Sequence, residues 1–177
     1  MPARTETLHA TPWLTLKSIH IPAEDGRNKV WTYASRPNCV GGVCVIARTA
    51  GSNPEILLVR QRRAPVDRLV IEFPAGLIDA NESPLETALR ELREETGWSG
   101  NATAVSPVTY TSPGLTDEVI YFVSVTVTVE GIPQPDEGEM IEVLRWPVAE
   151  LQSRLHAAAA AGDGIDAKLW TYALAQI

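Results

Sequence analysis

Cysteine and histidine are both scarce in this chain, which has two cysteines and three histidines among 177 residues. Two cysteines, Cys39 and Cys44, are too few for a disulfide framework or for a four-ligand zinc site. We therefore interpret both as reduced residues in or beside a strand. The histidines lie in no recognisable motif, so serine or cysteine hydrolase chemistry has no support in the sequence.

Long apolar runs and an excess of positive charge are missing as well. No apolar run approaches the length of about 18 residues that a membrane-spanning helix needs. The N-terminus, MPARTETLHATPW, has no hydrophobic signal core. These absences predict a soluble, cytoplasmic protein with no membrane partner. The net charge of −7 argues against nucleic-acid binding, since nonspecific binding requires clustered positive charge.

The length and the apolar pattern predict one domain of the α+β class. Alternating segments such as VIYFVSVTVTV and apolar runs such as ILLV are typical of strands. The predicted strands cover residues 13–21, 29–36, 42–48, 55–60, 69–73, 102–111, 118–129 and 140–146. The first two are joined by a turn around Asp25 and Gly26, and they form a small N-terminal antiparallel element. Two helices are predicted at the end, over 148–161 and 166–177, the second capped by Asp166.

A further helix, over residues 84–96, has the clearest boundaries in the sequence. Ser83 supplies a capping hydroxyl, Pro84 occupies the first helical position, and Glu86 can complete a capping box. Gly97 follows as the terminating residue, since glycine adopts positive φ without steric cost. One stripe at helical spacing is predicted to pack on the core: Leu85, Ala88, Leu89, Leu92 and Thr96.

Three glutamates, Glu91, Glu94 and Glu95, fall on one flank of the last two turns of this helix. Their negative charge opposes the helix dipole, and Glu91 and Glu95 repel each other one turn apart. A divalent cation would remove both penalties, and hard oxygen ligands suit Mg²⁺ or Mn²⁺ better than zinc. Arg90 is placed to pair with Glu86 and Glu94 and so to fix the carboxylates. The competing interpretation is a solvated face of a surface helix.

Other candidate groups lie outside this helix. An arginine cluster precedes it and forms either a solvated rim or a site for ligand phosphates, whose oxygens match guanidinium groups. Its members are Arg60, Arg62, Arg63 and Arg68. A bend after the strand at 69–73 could leave the Ala75 carbonyl free for a metal ion. Trp13 and Trp31 either fill the core or a dimer interface, or stack on a base.

Nine positions from Gly76 to Trp98 form one motif of 23 residues. They are Gly76, Glu82, Arg90, Glu91, Leu92, Glu94, Glu95, Gly97 and Trp98. Their identities and spacing reproduce the fixed positions of the Nudix box, so the chain resembles a Nudix hydrolase. The resemblance implies the Nudix fold, an α/β/α sandwich with a mixed sheet, over residues 38–177. The antiparallel β element over residues 1–37 precedes it.

Segments outside the box resemble the ADP-ribose pyrophosphatase branch of this family, which also includes ADP-sugar pyrophosphatases. They are IEFPAGLID at 71–79, SPGLTDE at 112–118, GEMIEV at 138–143 and WTYALA at 170–175. Pro113 lies where that branch has a characteristic proline. The resemblance implies Mg²⁺-dependent hydrolysis of ADP-ribose to AMP and ribose 5-phosphate. Thr32 differs from the acidic residue that helps some relatives to recognise adenine.

The same resemblance implies catalytic roles for individual residues. Four oxygen ligands are implied for two or three metal ions: the Ala75 carbonyl, Glu91, Glu94 and Glu95. Arg90 supports these carboxylates. Glu139 is implied as the general base that activates water, with Glu137 and Glu95 as alternatives.

The resemblance also implies a homodimer and a set of substrate contacts. The implied contacts are Trp13, Trp31, Arg36, Arg63 and Gly114. The two tryptophans enclose the adenine from different subunits, and Arg63 contacts the pyrophosphate. Residues 1–37 are therefore expected to contribute to dimerisation and to base binding.

Other functions remain open from the sequence. NADH, other nucleoside diphosphate sugars and oxidised nucleoside diphosphates offer the same diphosphate to the metal ions. A module that binds ADP-ribose or NAD derivatives without cleaving them is a different class. Such a module is expected to have lost metal-binding glutamates, whereas Glu91, Glu94 and Glu95 are all present. A calcium-binding structural protein would need a series of alternating acidic ligands that this sequence lacks.

Overall fold

The computed structural model describes residues 4–23, 27–135 and 138–176, and its strands form two sheets. The N-terminal sheet is antiparallel and consists of β1 (Arg4–Ala10), β2 (Thr15–Pro22) and β3 (Asn28–Ser35). Strands β2 and β3 are the predicted pair. Strand β1 was not predicted, because its exposed residues show no apolar alternation. The predicted turn at Asp25 and Gly26 lies outside the described residues.

The second sheet has nine strands and is mixed. They are β4 (Gly42–Thr49), β5 (Glu55–Arg63), β6 (Arg68–Glu72), β7 (Ala75–Leu77), β8 (Ser99–Val105), β9 (Thr109–Tyr110), β10 (Val119–Val129), β11 (Ile141–Pro147) and β12 (Gly164–Ile165). At its centre, β4 pairs in parallel with β10 and antiparallel with β5. The single strand predicted over 102–111 is divided into β8 and β9 around Pro107, which has no N–H to donate. Strands β7 and β12 are too short to show a periodic signal.

Three α-helices accompany this sheet: α1 (Pro84–Thr96), α2 (Leu151–Ala161) and α3 (Ala167–Leu174). Helix α1 begins with the predicted capping box and ends at Gly97, where φ is 77°. On its predicted core stripe, Leu85 is instead 40% exposed, and Thr87 is the buried residue of the first turn. Helix α3 has the predicted Asp166 cap but ends earlier than expected, and Ile177 lies outside the described residues. Within the part described, no helix is long and apolar enough to span a membrane.

Alternation along β4 divides the core into two layers. Val43 packs in one layer with Leu92 of α1, and Cys44 packs in the other layer with Leu155 of α2. Successive side chains of a strand point to opposite faces, so one strand supplies both layers. All four of these side chains are completely buried. The arrangement is the predicted α/β/α sandwich, and both Cys39 and Cys44 are free, as expected.

Candidate active site

One cleft, with a volume of about 470 Å³, lies between α1 and β7. We call it the acidic cleft, because the predicted metal ligands and the predicted base all line it: Ala75, Glu91, Glu94, Glu95 and Glu139. Arg90 and Trp13 line it too. The structure therefore brings the predicted metal ligands and the predicted base together, although Ala75 and Glu139 are 64 positions apart in the sequence.

Strand β7 lies against α1 because Gly76 has no side chain. A Cβ atom added there would lie 1.8 Å from Glu91 Oε1, so no other residue fits without moving the glutamate. The close approach lets the Ala75 N–H donate a hydrogen bond to Glu95 Oε2 at 3.0 Å. The first glycine of the motif is thus required by packing between the strand and the acidic helix.

Arg90 holds the carboxylates that surround it. Its Nε and Nη2 donate to the two oxygens of Glu82, each at 3.0 Å, and Nη1 donates to Glu91 at 2.9 Å and to Glu94 at 3.0 Å. The predicted pair with Glu94 is confirmed. The predicted pair with Glu86 is wrong, because that carboxylate accepts hydrogen bonds within the helix cap. The Arg90 guanidinium is the main reason that the pKa of Glu82 falls to about 2.

Two carboxylates of the cleft are buried enough to resist ionisation. Glu95 is 5% exposed, and burial raises its pKa to about 8 despite the hydrogen bond from Ala75. Burial also raises the pKa of Glu91. The charge of Glu139 adds to both increases, which places this carboxylate close to α1. A cation in the cleft would favour the ionised form of these groups.

The pKa of Glu95 predicts a specific pH dependence of stability in EDTA. Because its pKa is raised from 4.5 to about 8, the native state retains a proton that the unfolded chain releases. This group therefore lowers the free energy of unfolding progressively between about pH 4.5 and about pH 8, with no further loss above that range. Thermal unfolding of the wild type and of Glu95→Gln across this range measures the effect. The variant should lose less stability with rising pH, and parallel curves would contradict the assignment.

The carboxylates lie in one cleft without forming a finished metal site. Among the residues described, no three Asp, Glu, His or Cys side chains already have metal-binding geometry. Glu91 and Glu94 share the single positive charge of Arg90 with Glu82, and Glu95 is bonded to the Ala75 amide. The donors nevertheless suit a hard divalent cation. All are oxygens, and neither the buried Glu95 nor the half-buried Glu91 has a full counter-charge. These are the residues that could hold a metal ion.

The loop that carries Glu139 is tied to the end of α1. The Gln134 N–H donates to the Glu94 carbonyl at 2.8 Å, which satisfies one of the carbonyls that a helix end leaves unpaired. The contact holds Gln134 at the end of α1, and Glu139, five residues later in the sequence, lines the acidic cleft. Within the described part of the chain, the Glu139 carboxylate makes no hydrogen bond or ion pair. Glu137, the alternative base, lies outside the described residues.

A second cleft, of about 300 Å³, adjoins the first along β7 and is lined by Arg36 and Arg63. We call it the arginine cleft. Two carboxylates that the sequence analysis missed hold these arginines: Glu118 Oε1 accepts from Arg36 Nε at 2.7 Å, and Glu72 Oε1 accepts from Arg63 Nε at 2.7 Å. Burial raises the pKa of Glu72. Both glutamates lie in recognised segments, but spacing alone does not reveal pairs between strands.

The other members of the predicted arginine cluster do not line these two clefts. Arg60 makes a bidentate pair with Asp163, with N–O distances of 3.0 and 2.7 Å. Arg62 pairs with Asp67. Arg62 is exposed, as the solvated-rim interpretation expects, whereas Arg60 is half-buried in its ion pair. Arg63 is the member of the cluster that lines the arginine cleft.

Trp13 and Trp31 line different clefts. Trp13 lies between β1 and β2, is 80% exposed and lines the acidic cleft. Trp31 lines an apolar cleft of about 480 Å³. Its Nε1–H donates to the Gly114 carbonyl at 2.9 Å, and Lys29 Nζ lies 4.8 Å from its ring centroid. One chain by itself does not bring the two indole rings together.

Known proteins resemble this chain in both sequence and fold. A family model for the NUDIX domain matches residues 40–166. An ADP-sugar pyrophosphatase from Mus musculus is 40% identical over 184 residues, covering 96% of this chain and 84% of the relative. An ADP-ribose pyrophosphatase from Saccharomyces cerevisiae is 35% identical over 143 residues, covering 73% and 62%. The crystal structure of an ADP compounds hydrolase has a TM-score of 0.68, over 86% of this chain and 80% of that one; at 23% identity it supports the fold alone.

Proposed function

The chain belongs to the Nudix hydrolase family, as its motif predicted, and we propose that it hydrolyses ADP-ribose and related ADP-sugars. With ADP-ribose the products are AMP and ribose 5-phosphate. One observation carries the proposal: a cleft lined by four glutamates adjoins a cleft lined by two arginines. Anionic and cationic groups side by side suit a diphosphate that is bound together with a divalent cation. The names of the mouse and yeast relatives support the same substrate class.

We propose that Mg²⁺, or Mn²⁺ in its place, binds to the Ala75 carbonyl and to the carboxylates of Glu91, Glu94 and Glu95. When bound, it would neutralise charge on the diphosphate and lower the pKa of a water molecule. Arg90 keeps two of these carboxylates in place through hydrogen bonds.

Glu139 is the proposed general base. It lines the acidic cleft, and its carboxylate has no competing partner among the described residues, so it is available to accept a proton from the attacking water.

The proposed substrate contacts divide the ligand between three regions. Arg36 and Arg63 bind phosphate oxygens in the arginine cleft. Trp31 stacks on the adenine, with Gly114 fixing the indole through its carbonyl. Trp13 of the partner subunit covers the other face of the base, so the site is complete only in a homodimer that residues 1–37 help to form. Sedimentation equilibrium tests this assembly, and a particle of single-chain mass would contradict it.

Trp31→Ala is expected to raise KM for ADP-ribose by about tenfold, since base stacking contributes about 1 to 3 kcal/mol by alanine substitution. Little change is expected in kcat. Trp31→Phe is the control, because it keeps an aromatic face but loses the hydrogen bond to Gly114. Steady-state kinetics on both variants measures the effect. An unchanged KM for Trp31→Ala would mean that this residue only supports the fold.

A substrate panel tests the proposed function. It contains ADP-ribose, ADP-glucose, NADH, diadenosine polyphosphate and 8-oxo-dGDP, each assayed with Mg²⁺. We expect the highest kcat/KM for ADP-ribose. A higher value for NADH or 8-oxo-dGDP would reassign the substrate within the family. The cytoplasmic location predicted from the sequence is a separate proposal, which cell fractionation tests.

A further inference from the structure

The loop between β9 and β10 fixes the end of β3. Three successive residues of β3 and its extension contact this loop: Ala34 N–H donates to the Leu115 carbonyl at 2.9 Å, Ser35 Oγ to Asp117 Oδ2 at 2.9 Å, and Arg36 Nε to Glu118 Oε1 at 2.7 Å. The contacts of Ala34 and Ser35 therefore hold the chain that leads to Arg36 against this loop. The position of its guanidinium group then depends on Glu118.

Glu118 is held through both of its carboxylate oxygens. While Oε1 accepts from Arg36, Oε2 accepts from the Thr111 hydroxyl at 3.2 Å. The Glu118 side chain is 27% exposed and that of Arg36 is 47% exposed. Ion pairs that are exposed to this degree contribute little to folding, because water screens them. Folding stability is therefore not the main effect expected of this pair.

Glu118 occupies only one end of the guanidinium group. Within the described residues, Nη1 and Nη2 of Arg36 make no hydrogen bond, so they remain available to a ligand. Arg63 repeats the pattern, since its bond to Glu72 also uses Nε. Both arginines line the arginine cleft. A guanidinium group fixed at Nε has already lost much of its freedom, so a phosphate that binds to the Nη atoms has less to order.

We infer that Glu118 is a positioning residue for substrate binding, which orients Arg36 toward a phosphate of a nucleoside diphosphate. The inference rests on the proposed function for the chemical class of that ligand. An acidic side chain in an anion-binding cleft repels an anionic ligand. It favours binding only if it holds a cationic side chain, here Arg36, in the orientation that contacts the ligand. The sign of its effect on affinity therefore distinguishes positioning from repulsion.

Binding of ADP-ribose in EDTA, measured by isothermal titration calorimetry, separates positioning from catalysis. Glu118→Ala is expected to weaken binding about tenfold, as for loss of a hydrogen bond to a charged group. In an Arg36→Ala background it should cause no further loss, because Glu118 acts through Arg36. Glu118→Gln keeps an oxygen acceptor for Nε and should lose less affinity. With Mg²⁺, Glu118→Ala should raise KM and leave kcat unchanged.

The matched control is Glu55→Ala. Glu55 pairs with Arg145 at side-chain exposures of 30% and 46%, close to those of the Glu118 pair, and lines neither cleft. The Glu55→Ala variant should bind ADP-ribose as tightly as the wild type does. Thermal unfolding checks that each variant is folded.

Equal or tighter binding by Glu118→Ala would overturn the inference, and so would losses that add to those of Arg36→Ala. Wild-type protein that binds ADP-ribose but does not cleave it with Mg²⁺ would overturn the proposed function. The comparison of binding by Glu118→Ala, Arg36→Ala and the double variant would still decide the role of Glu118. An absence of wild-type binding in EDTA would overturn the inference, because the fixed arginines would then not hold the ligand. Turnover with Mg²⁺ would in that case leave the proposed function standing.

Discussion

Replacing Glu95 with glutamine is expected to abolish hydrolysis and to leave the fold intact. The change removes a proposed metal ligand, and kcat should fall by about a thousandfold or more, since a bound metal contributes several kcal/mol to catalysis. Glutamine has nearly the same volume. Its oxygen can still accept the hydrogen bond from the Ala75 N–H, which Glu95 accepts at 3.0 Å. Steady-state kinetics at saturating Mg²⁺ measures the loss.

Glu86→Gln is the matched control for this variant. It makes the same chemical change on the same helix, and glutamine also completes a capping box. In the wild type, the Glu86 carboxylate accepts hydrogen bonds from Ser83 and does not line the acidic cleft. Wild-type activity is expected. Normal turnover by Glu95→Gln, with a normal fold, would contradict the metal assignment.

The second large effect is expected at Glu139. Glu139→Gln removes a proton acceptor from the acidic cleft, and kcat should fall by about 10²- to 10⁴-fold, as for loss of a general base. KM should change little, because the residue is not among the proposed substrate contacts. The dependence of kcat on pH provides a further readout, since the acidic limb that reports ionisation of the base should be absent from the variant.

Glu137→Gln decides between the two loop carboxylates. Glu137 lies two positions before Glu139 in the sequence. The Glu137→Gln variant therefore tests whether removing any negative charge from this segment lowers kcat as Glu139→Gln does. Near-normal kcat for Glu137→Gln together with a large loss for Glu139→Gln supports Glu139 as the base. The reverse result would assign the role to Glu137, and two active variants would leave Glu95 as the remaining candidate.

Local chemistry explains why much of the fold could be predicted. Helix α1 begins and ends where Ser83 and Gly97 indicate, because capping involves only neighbouring residues. The alternation in β10 likewise places Val123 and Val125 in one buried layer. Strand β7 could not be predicted in this way. Its three residues form a strand only because they pair with β4, which is distant in sequence.

The site shows the same division between local and distant contacts. The carboxylates of α1 could be predicted because they lie on one helix, and helical spacing fixes their flank. The partner of Arg90 was predicted wrongly in part, because the cap takes Glu86 and the preceding loop supplies Glu82. Arg36 and Glu118 are 82 residues apart, so no local pattern connects them.

The central claim is that the acidic cleft is a metal-dependent hydrolytic site. Turnover of ADP-ribose with Mg²⁺ and with EDTA tests this claim most directly. Chromatography of the products should show AMP and ribose 5-phosphate with Mg²⁺ and unchanged ADP-ribose with EDTA. Restoring Mg²⁺ to the chelated sample should restore cleavage. Protein that binds ADP-ribose but leaves it intact with Mg²⁺ present would contradict the claim and would identify a binding module instead.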